Sequence, residues 1–263
     1  QAADFLENPD WRGWRESPAQ ALVVGSVSVN ESDIEVKYFL YQPRSKQRRE
    51  AQRARLPLNQ WRGLAHFISD RIHLKFAGMN GHFGSQILFI AEDGSATQRV
   101  KRLAMMDQDG HNIRYLSDGR NIVVTPRFSP DGREITYTEI SNGRVQVILK
   151  HLVTGQQEVL ETAQGTSTFS PRFSPDGRGI VYSLALNGNT DIYYMDLQTR
   201  GRERVTTAPS AETSPSISPD GRLVAFESDR SGSQQIYVLN RQTGQVRRIS
   251  VQDRARYATP GPI

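Results

Sequence analysis

The sequence has no cysteine among its 263 residues. Disulfides, thiolate zinc sites and a cysteine nucleophile are therefore excluded. The compartment stays open on this ground, because a chain of this length can bury enough core to survive an oxidising space without disulfides. Long apolar runs are missing as well. The longest candidate, Ala21–Val29, is broken by Gly25, Ser26 and Ser28, far short of the roughly 18 residues a membrane helix needs. Insertion into a membrane is not expected. Gln1 opens the chain without a signal-peptide pattern. There is no low-complexity tract, and the 37% hydrophobic and 23% charged residues are those of a globular protein.

Negative charge is the scarcer sign: the net charge is +5 and the pI about 9.6. Much of the excess is local. Between Gln42 and Arg62 stand Arg44, Lys46, Arg48, Arg49, Arg53, Arg55 and Arg62 against Glu50 alone, a net of +6. A basic patch can bind nucleic acid or anionic lipid. Here no aromatics interleave with the cations as base-stacking platforms would. The patch reads as a solvated edge or loop, and no nucleic-acid partner is expected. Whether residues 44–56 form strand or helix is left open by their pattern.

What the sequence does have is a repeat. Ser-Pro-Asp-Gly occurs at Ser129–Gly132, Ser174–Gly177 and Ser218–Gly221, each inside a longer match such as Pro126-Arg127-Phe128 or Pro171-Arg172-Phe173. The spacings are 45 and 44 residues. Each copy is followed by a β-branched and aromatic run, a polar turn, a second such run, a Thr-Gly-type turn and a short last strand. With the strand before the turn, that makes four antiparallel strands per unit, the size of a propeller blade. Proline suits the second position of a type I turn, and the glycine can take the left-handed conformation. Asp131, Gly132, Asp176, Gly177, Asp220 and Gly221 are accordingly read as structural turn residues. Catalytic or metal roles for the aspartates are not expected, since equal spacing spreads them round a ring. Asp107-x-Asp109-Gly110 has the opening spacing of a calcium loop but lacks the later ligands, and reads as a hairpin turn.

The expected organisation is mainly β. Residues 1–80 form the C-terminal part of an α/β domain, and residues 81–263 an incomplete propeller of about four blades out of six. The expected blades span about 85–125, 126–169, 170–212 and 213–257, with the next beginning at 258–263. Residues 258–263 match the approach to another repeat, so the chain is read as a piece of a larger ring. Within residues 1–80, Asn8-Pro9-Asp10 predicts a helix start, and residues 21–29 and 34–41 a hairpin. A helix capped by Asn59 is predicted to run to about Phe76, with Trp61, Leu64, Ala65, Ile68 and Ile72 on one face and Gly78 as its stop. His66 and His73 are too isolated for a metal site, and no cofactor is expected.

The order of these features resembles the TolB family. Trp61–Asp70, Ala21–Gly25, the junction Gly81–Ile87 and strands such as Asp191–Leu197 and Gln235–Leu239 carry the resemblance. It implies a periplasmic, non-enzymatic binding protein of the Tol–Pal system, with a six-bladed propeller. It further implies binding of the lipoprotein Pal at one mouth of the channel, contact with other Tol proteins, and a part in outer-membrane integrity and cell-division constriction. The rival reading is the propeller of a prolyl-oligopeptidase or tricorn-type serine peptidase. That reading needs a G-x-S-x-G elbow elsewhere, since none occurs here. Loops entering the innermost strands are expected to form the partner-binding mouth: Thr125, Ser167, Thr168, Phe169, Ser170, Glu212, Thr213, Ser214 and Thr259. The turns at Asn142 and Gly188 are expected on the opposite face.

Overall fold

The computed structural model describes residues 9–14, 17–95, 97–161 and 163–250. The chain separates into two compact units, residues 1–87 with 106–112 and residues 88–105 with 113–263.

In the first unit, β1 (Leu22–Val29), β2 (Asp33–Gln42) and β3 (Gln47–Pro57) form an antiparallel sheet in that order. The β1–β2 turn is set by Asn30, whose side-chain oxygen accepts from the amides of Ser32 and Asp33 at 3.0 and 2.7 Å. The basic stretch is therefore a strand. It tolerates its charge because β2 supplies carboxylates: Arg53 pairs with Glu35 and Arg55 with Asp33, both at 2.8 Å. Helix α1 (Trp61–Ala77) follows a 3-10 turn at Leu58–Gln60. Gln60, not Asn59, precedes its first residue, and no side chain caps it. The intervening turn takes up the position where Asn59 was expected to act. Gly78 ends the helix as expected, left-handed at φ 69° with its amide donating to Leu74 O.

The expected apolar face of α1 is only partly realised. Leu64 is buried, whereas Trp61 is 48% exposed. Ionic contacts do part of the anchoring. Buried Glu50 on β3 accepts from the Tyr38 hydroxyl and from Arg71 at 3.2 Å, and Lys75 lies 3.6 Å away. Asn8 of the predicted helix start lies outside the described residues; of those that follow it, residues 12–14 make a turn.

The second unit is built of sheets. β4 (Gln86–Asp93), β5 (Val100–Asp107) and β6 (Arg114–Tyr115) form a three-stranded one. Three four-stranded antiparallel sheets follow. The first holds β7 (Ile122–Phe128), β8 (Glu134–Ser141), β9 (Arg144–His151) and β10 (Gln157–Val159). The second holds β11 (Ser167–Phe173), β12 (Gly179–Leu186), β13 (Asn189–Asp196) and β14 (Arg202–Arg204). The third holds β15 (Glu212–Ile217), β16 (Leu223–Ser228), β17 (Gln235–Asn240) and β18 (Val246–Arg248).

Each sheet packs on the next through apolar side chains. Leu103 joins Val123, Ile135, Tyr137 and Ile148. Val147 and Leu149 meet Phe173, Ile180, Tyr182 and Met195. Val181 and Ile192 meet Ile217, Val224, Phe226, Tyr237 and Leu239. Face-to-face burial between consecutive meander sheets is the arrangement of propeller blades. Residues 258–263 lie outside the described residues.

Candidate functional site

The first strand of every four-stranded sheet carries the same irregularity. In β7 the register jumps between Val124 and Arg127, in β11 between Phe169 and Arg172, and in β15 between Thr213 and Ser216. Two residues thus face one on the neighbouring strand, which is a β-bulge. The first bulge residue is left-handed each time: Thr125 at φ 52°, Ser170 at 53° and Ser214 at 55°. The second is proline each time: Pro126, Pro171 and Pro215. Proline has no amide to give a ladder, so a bulge is where a sheet can hold it. The residue opposite each bulge is a buried aromatic, Tyr137, Tyr182 or Phe226. A β-branched residue such as Thr125 pays in strain for positive φ.

The bulges bring the three first strands together. Thr125, Arg127, Ser170, Pro171, Arg172, Ser214 and Pro215 line one cavity of about 180 Å³. Hydroxyls stitch its wall. Thr125 Oγ1 and Thr138 Oγ1 are 2.9 Å apart, and the Ser170 amide donates to the same Thr138 oxygen at 3.1 Å. Arg127 donates to Pro126 O at 2.8 Å. Burial holds both guanidiniums below their ordinary pKa, and for Arg172 the charge of Arg127 adds to it. At the third repeat Glu227 takes the place of Thr138. Burial raises its pKa, against a hydrogen bond from Thr213 at 3.3 Å.

The sequence matches the TolB beta propeller domain family over residues 73–261. The chain belongs to that family. It is similar to TolB from Acinetobacter baumannii, with 29% identity over 96% of this chain and a TM-score of 0.78. It spans 61% of the length of that TolB. A TolB-like protein of Agrobacterium tumefaciens shares the fold at 15% identity and a TM-score of 0.53, covering 88% of this chain and 81% of its own. A puromycin-hydrolyzing peptidase of Mycobacterium tuberculosis does so at 14% and 0.55, covering 89% and 38%. Those two likenesses concern the fold alone.

Within this TolB-family propeller, the expected mouth residues fall into distinct places. Ser167–Ser170 and Glu212–Ser214 lie in β11 and β15, not in the loops before them. Thr125, Ser170 and Ser214 reach the cavity. Thr168 is buried, its hydroxyl accepting from the Val147 amide of the preceding sheet at 2.8 Å. Glu212 is buried and paired with Arg230. Ser167 and Phe169 are half-buried on β11. Thr259 lies outside the described residues. The turns at Asn142 and Gly188 require a correction. Ile122, at the start of β7, pairs with Ile140 beside the Asn142 turn, and Ser167 of β11 with Ala185 beside Gly188. Antiparallel order therefore puts those turns at the same sheet end as the entering loops. The Ser-Pro-Asp-Gly and Thr-Gly turns occupy the other end.

The turn residues behave alike. The hydroxyls of Ser129, Ser174 and Ser218 donate to Asp131, Asp176 and Asp220 at 2.7, 2.6 and 2.5 Å. These bonds, helped by the Arg133, Arg178 and Arg222 amides, hold the carboxyls below the usual range. Gly132, Gly177 and Gly221 sit at φ 70°, 70° and 73°. Asp109 accepts from the His111 amide and contacts Arg62 and His66, contacts that occupy it in a hairpin turn.

Two features escaped the sequence reading. Arg127 and Arg172, read in the sequence only as part of the repeat match, line one cavity. In three of the four sheets a hydroxyl just after the outer strand accepts from the strand before it: Ser117, Thr206 and Ser250 accept from the Leu103, Ile192 and Ile236 amides at 2.9, 2.9 and 3.0 Å.

Proposed function

We propose that this chain is part of a periplasmic, non-enzymatic binding protein of the Tol–Pal system. Its propeller binds the lipoprotein Pal at the end of the channel bearing the cavity at Thr125, Ser170 and Ser214, and so serves outer-membrane integrity and cell-division constriction. Contacts with other Tol proteins belong to the same reading. One observation carries it: the TolB-family match over residues 73–261 falls on the repeats whose bulges converge on one hydroxyl- and arginine-lined cavity. Side chains presented by a rigid scaffold are where binding residues concentrate. Among the described residues no helix is long and apolar enough to cross a membrane. The peptidase reading draws on fold likeness alone.

The test is a binding isotherm with purified, labelled Pal. Ser170→Arg and Thr213→Arg should weaken binding at least tenfold, with circular dichroism unchanged. Gln198→Arg and Gln242→Arg, exposed at the other sheet end, should bind like the parent. Loss confined to the latter pair would refute the site. Hydrolysis of peptide substrates by the chain, abolished by a substitution within it, would refute the non-enzymatic reading.

A further inference from the structure

We infer that the first unit carries a phosphate-binding pocket, which takes a sugar phosphate. The pocket belongs to the unit of β1–β3 and α1, not to the sheets bearing the bulges, and stands whether or not the chain binds Pal. Arg44, Arg49 and Lys75 line it, its volume is about 500 Å³, and among the described residues no carboxylate lines it. Each cation comes from a different element and is placed by a different device. In the β2–β3 turn the Lys46 amide donates to Pro43 O at 3.4 Å, which makes Arg44 the second residue of a four-residue turn. Arg49 is the extra residue of a bulge in β3: Leu40 pairs with Glu50 and Tyr41 with Arg48, so no residue stands opposite Arg49. A bulge re-aims the side chain it carries, and Gln42 Oε1, also on the pocket wall, accepts from the Arg49 guanidinium. Lys75 sits in the last turn of α1, where the helix dipole favours a cation.

These cations differ from their neighbours on β3. Arg53 and Arg55 are neutralised by Glu35 and Asp33, whereas Arg44 and Arg49 form no ion pair with a described residue. Lys75 is 3.6 Å from Glu50, a carboxylate that already holds Arg71 at 3.1 Å. All three keep contact with water, so the attraction for an anion comes from convergence: like charges on a concave wall focus a positive potential. A turn, a strand and a helix approaching together suit a phosphate better than a carboxylate. A planar carboxylate is satisfied by one guanidinium fork. A phosphate monoester has three acceptor oxygens and a charge of roughly −1.5 to −2 at neutral pH, so it can accept from all three side chains at once. The pocket also exceeds that one group, falling among sites of roughly 300–1,000 Å³ that hold small organic molecules. Gln20 and Gln42 offer amides to hydroxyls, and Pro18 and Phe76 offer apolar surface. With its oxygen given to Arg49, Gln42 keeps its N–H donors. Hydroxyls on a compact body beside a phosphate are the chemistry of a sugar phosphate, free in solution or at the head of a lipid.

The experiment titrates the full chain calorimetrically with glucose 6-phosphate, inorganic phosphate and glucose. Glucose 6-phosphate should bind saturably, inorganic phosphate more weakly and glucose not at all. Affinity should rise as pH is raised through about 6, where the phosphate loses its second proton. Arg44→Gln and Arg49→Gln should each weaken glucose 6-phosphate at least about tenfold. Arg49→Lys, which keeps the charge and loses the fork, should fall between Arg49→Gln and the parent. Lys75→Gln should cost less than either arginine, since Glu50 shares its charge. Arg55→Gln, on the same strand but outside the pocket, should bind like the parent, with circular dichroism unchanged in every variant. Absence of glucose 6-phosphate binding, equal binding of glucose, or a loss in Arg55→Gln as large as in Arg44→Gln would overturn the site; the last would mark attraction by diffuse basic charge. A second arm sediments the chain with phosphatidylcholine vesicles with and without phosphatidylinositol 4-phosphate, a phosphate monoester on a polyhydroxylated ring. Cosedimentation that glucose 6-phosphate displaces supports a lipid head as the occupant. Binding of glucose 6-phosphate without cosedimentation supports a soluble one and overturns the lipid source.

Discussion

Thr138 is the residue through which the wall of the cavity is held, and replacing it gives a sharp test. Thr138 is 2% exposed, and its hydroxyl accepts the Ser170 amide of the next sheet at 3.1 Å and meets Thr125 Oγ1 at 2.9 Å. Thr138→Val keeps the shape and removes the acceptor. Thr125 is exposed and regains a partner from water. The half-buried Ser170 amide does so poorly, so the loss should be about 1–2 kcal/mol, between the net worth of a hydrogen bond and the full cost of an orphaned donor. Thr138→Ser keeps the hydroxyl and gives up a buried methyl, about 0.8 kcal/mol. Global stability therefore barely separates the two variants. Amide hydrogen exchange at Ser170 does. In the valine variant its protection should drop by roughly 5–30-fold; in the serine variant it should stay close to the parent's. Unchanged protection in Thr138→Val, or equal loss in both, would refute the view that this hydroxyl ties the bulge of one sheet to the second strand of the one before.

Two further outcomes are expected. Phe226 is fully buried, stacks at 6.0 Å on Tyr237 and packs against Val181 and Ile192 of the adjacent sheet. Phe226→Ala should cost about 3–5 kcal/mol and lower the melting temperature by on the order of 10 °C; a loss under about 1 kcal/mol in urea titration would show that the sheets do not depend on this contact. For Asp109, burial pushes the carboxyl up, but the His111 amide, His66 and Arg62 outweigh it and bring the pKa down to about 2. Its folded value is depressed, so its contribution to stability is present above the unfolded value near 4 and is lost as pH falls from about 4 towards 2. The carboxyl ¹³C titration should show that low midpoint, and Arg62→Gln should raise it; a midpoint near 4 in the parent would contradict the contacts.

The repeat, the strand content and the left-handed glycines were legible in the sequence because they are local. Ser-Pro-Asp-Gly fixes its own turn through Ser174–Asp176 and its counterparts, whatever surrounds it. The β1–β2 hairpin and the stop at Gly78 were legible on the same ground. What could not be read depends on residues distant in the chain. The basic stretch became a strand because Asp33 and Glu35 lie across from it, and α1 holds to the sheet through Glu50 as well as through Leu64. The bulges escaped because a left-handed Thr125 is unfavourable in itself and is held only by the strand register that resumes on either side of it. The Asn142 and Gly188 turns follow the second strand of their sheets, and the hairpin before them has already reversed the chain, so they return to the end from which the first strand came.

The separation between what repeats and what does not bears on where recognition lies. Left-handed residue, proline and facing aromatic recur in all three sheets, so they serve the architecture common to the blades. Were they specific to one ligand, there would be no reason for three copies at 45 and 44 residues. Under the proposed function, the positions that differ between copies are the ones able to orient a partner on that common frame. The residue after the bulge proline is Arg127, Arg172 and then Ser216. Opposite the residue before each bulge, the second strands carry Thr138, Ser183 and then Glu227. Both departures fall in the third repeat, where a cation position becomes a small hydroxyl and a hydroxyl position becomes a carboxyl. Arg127 and Arg172 line the cavity, while Glu227 accepts from Thr213 on the first strand of its own sheet. A symmetric scaffold made asymmetric in this way can fix the orientation of a single partner, which a uniform ring of serines and threonines could not.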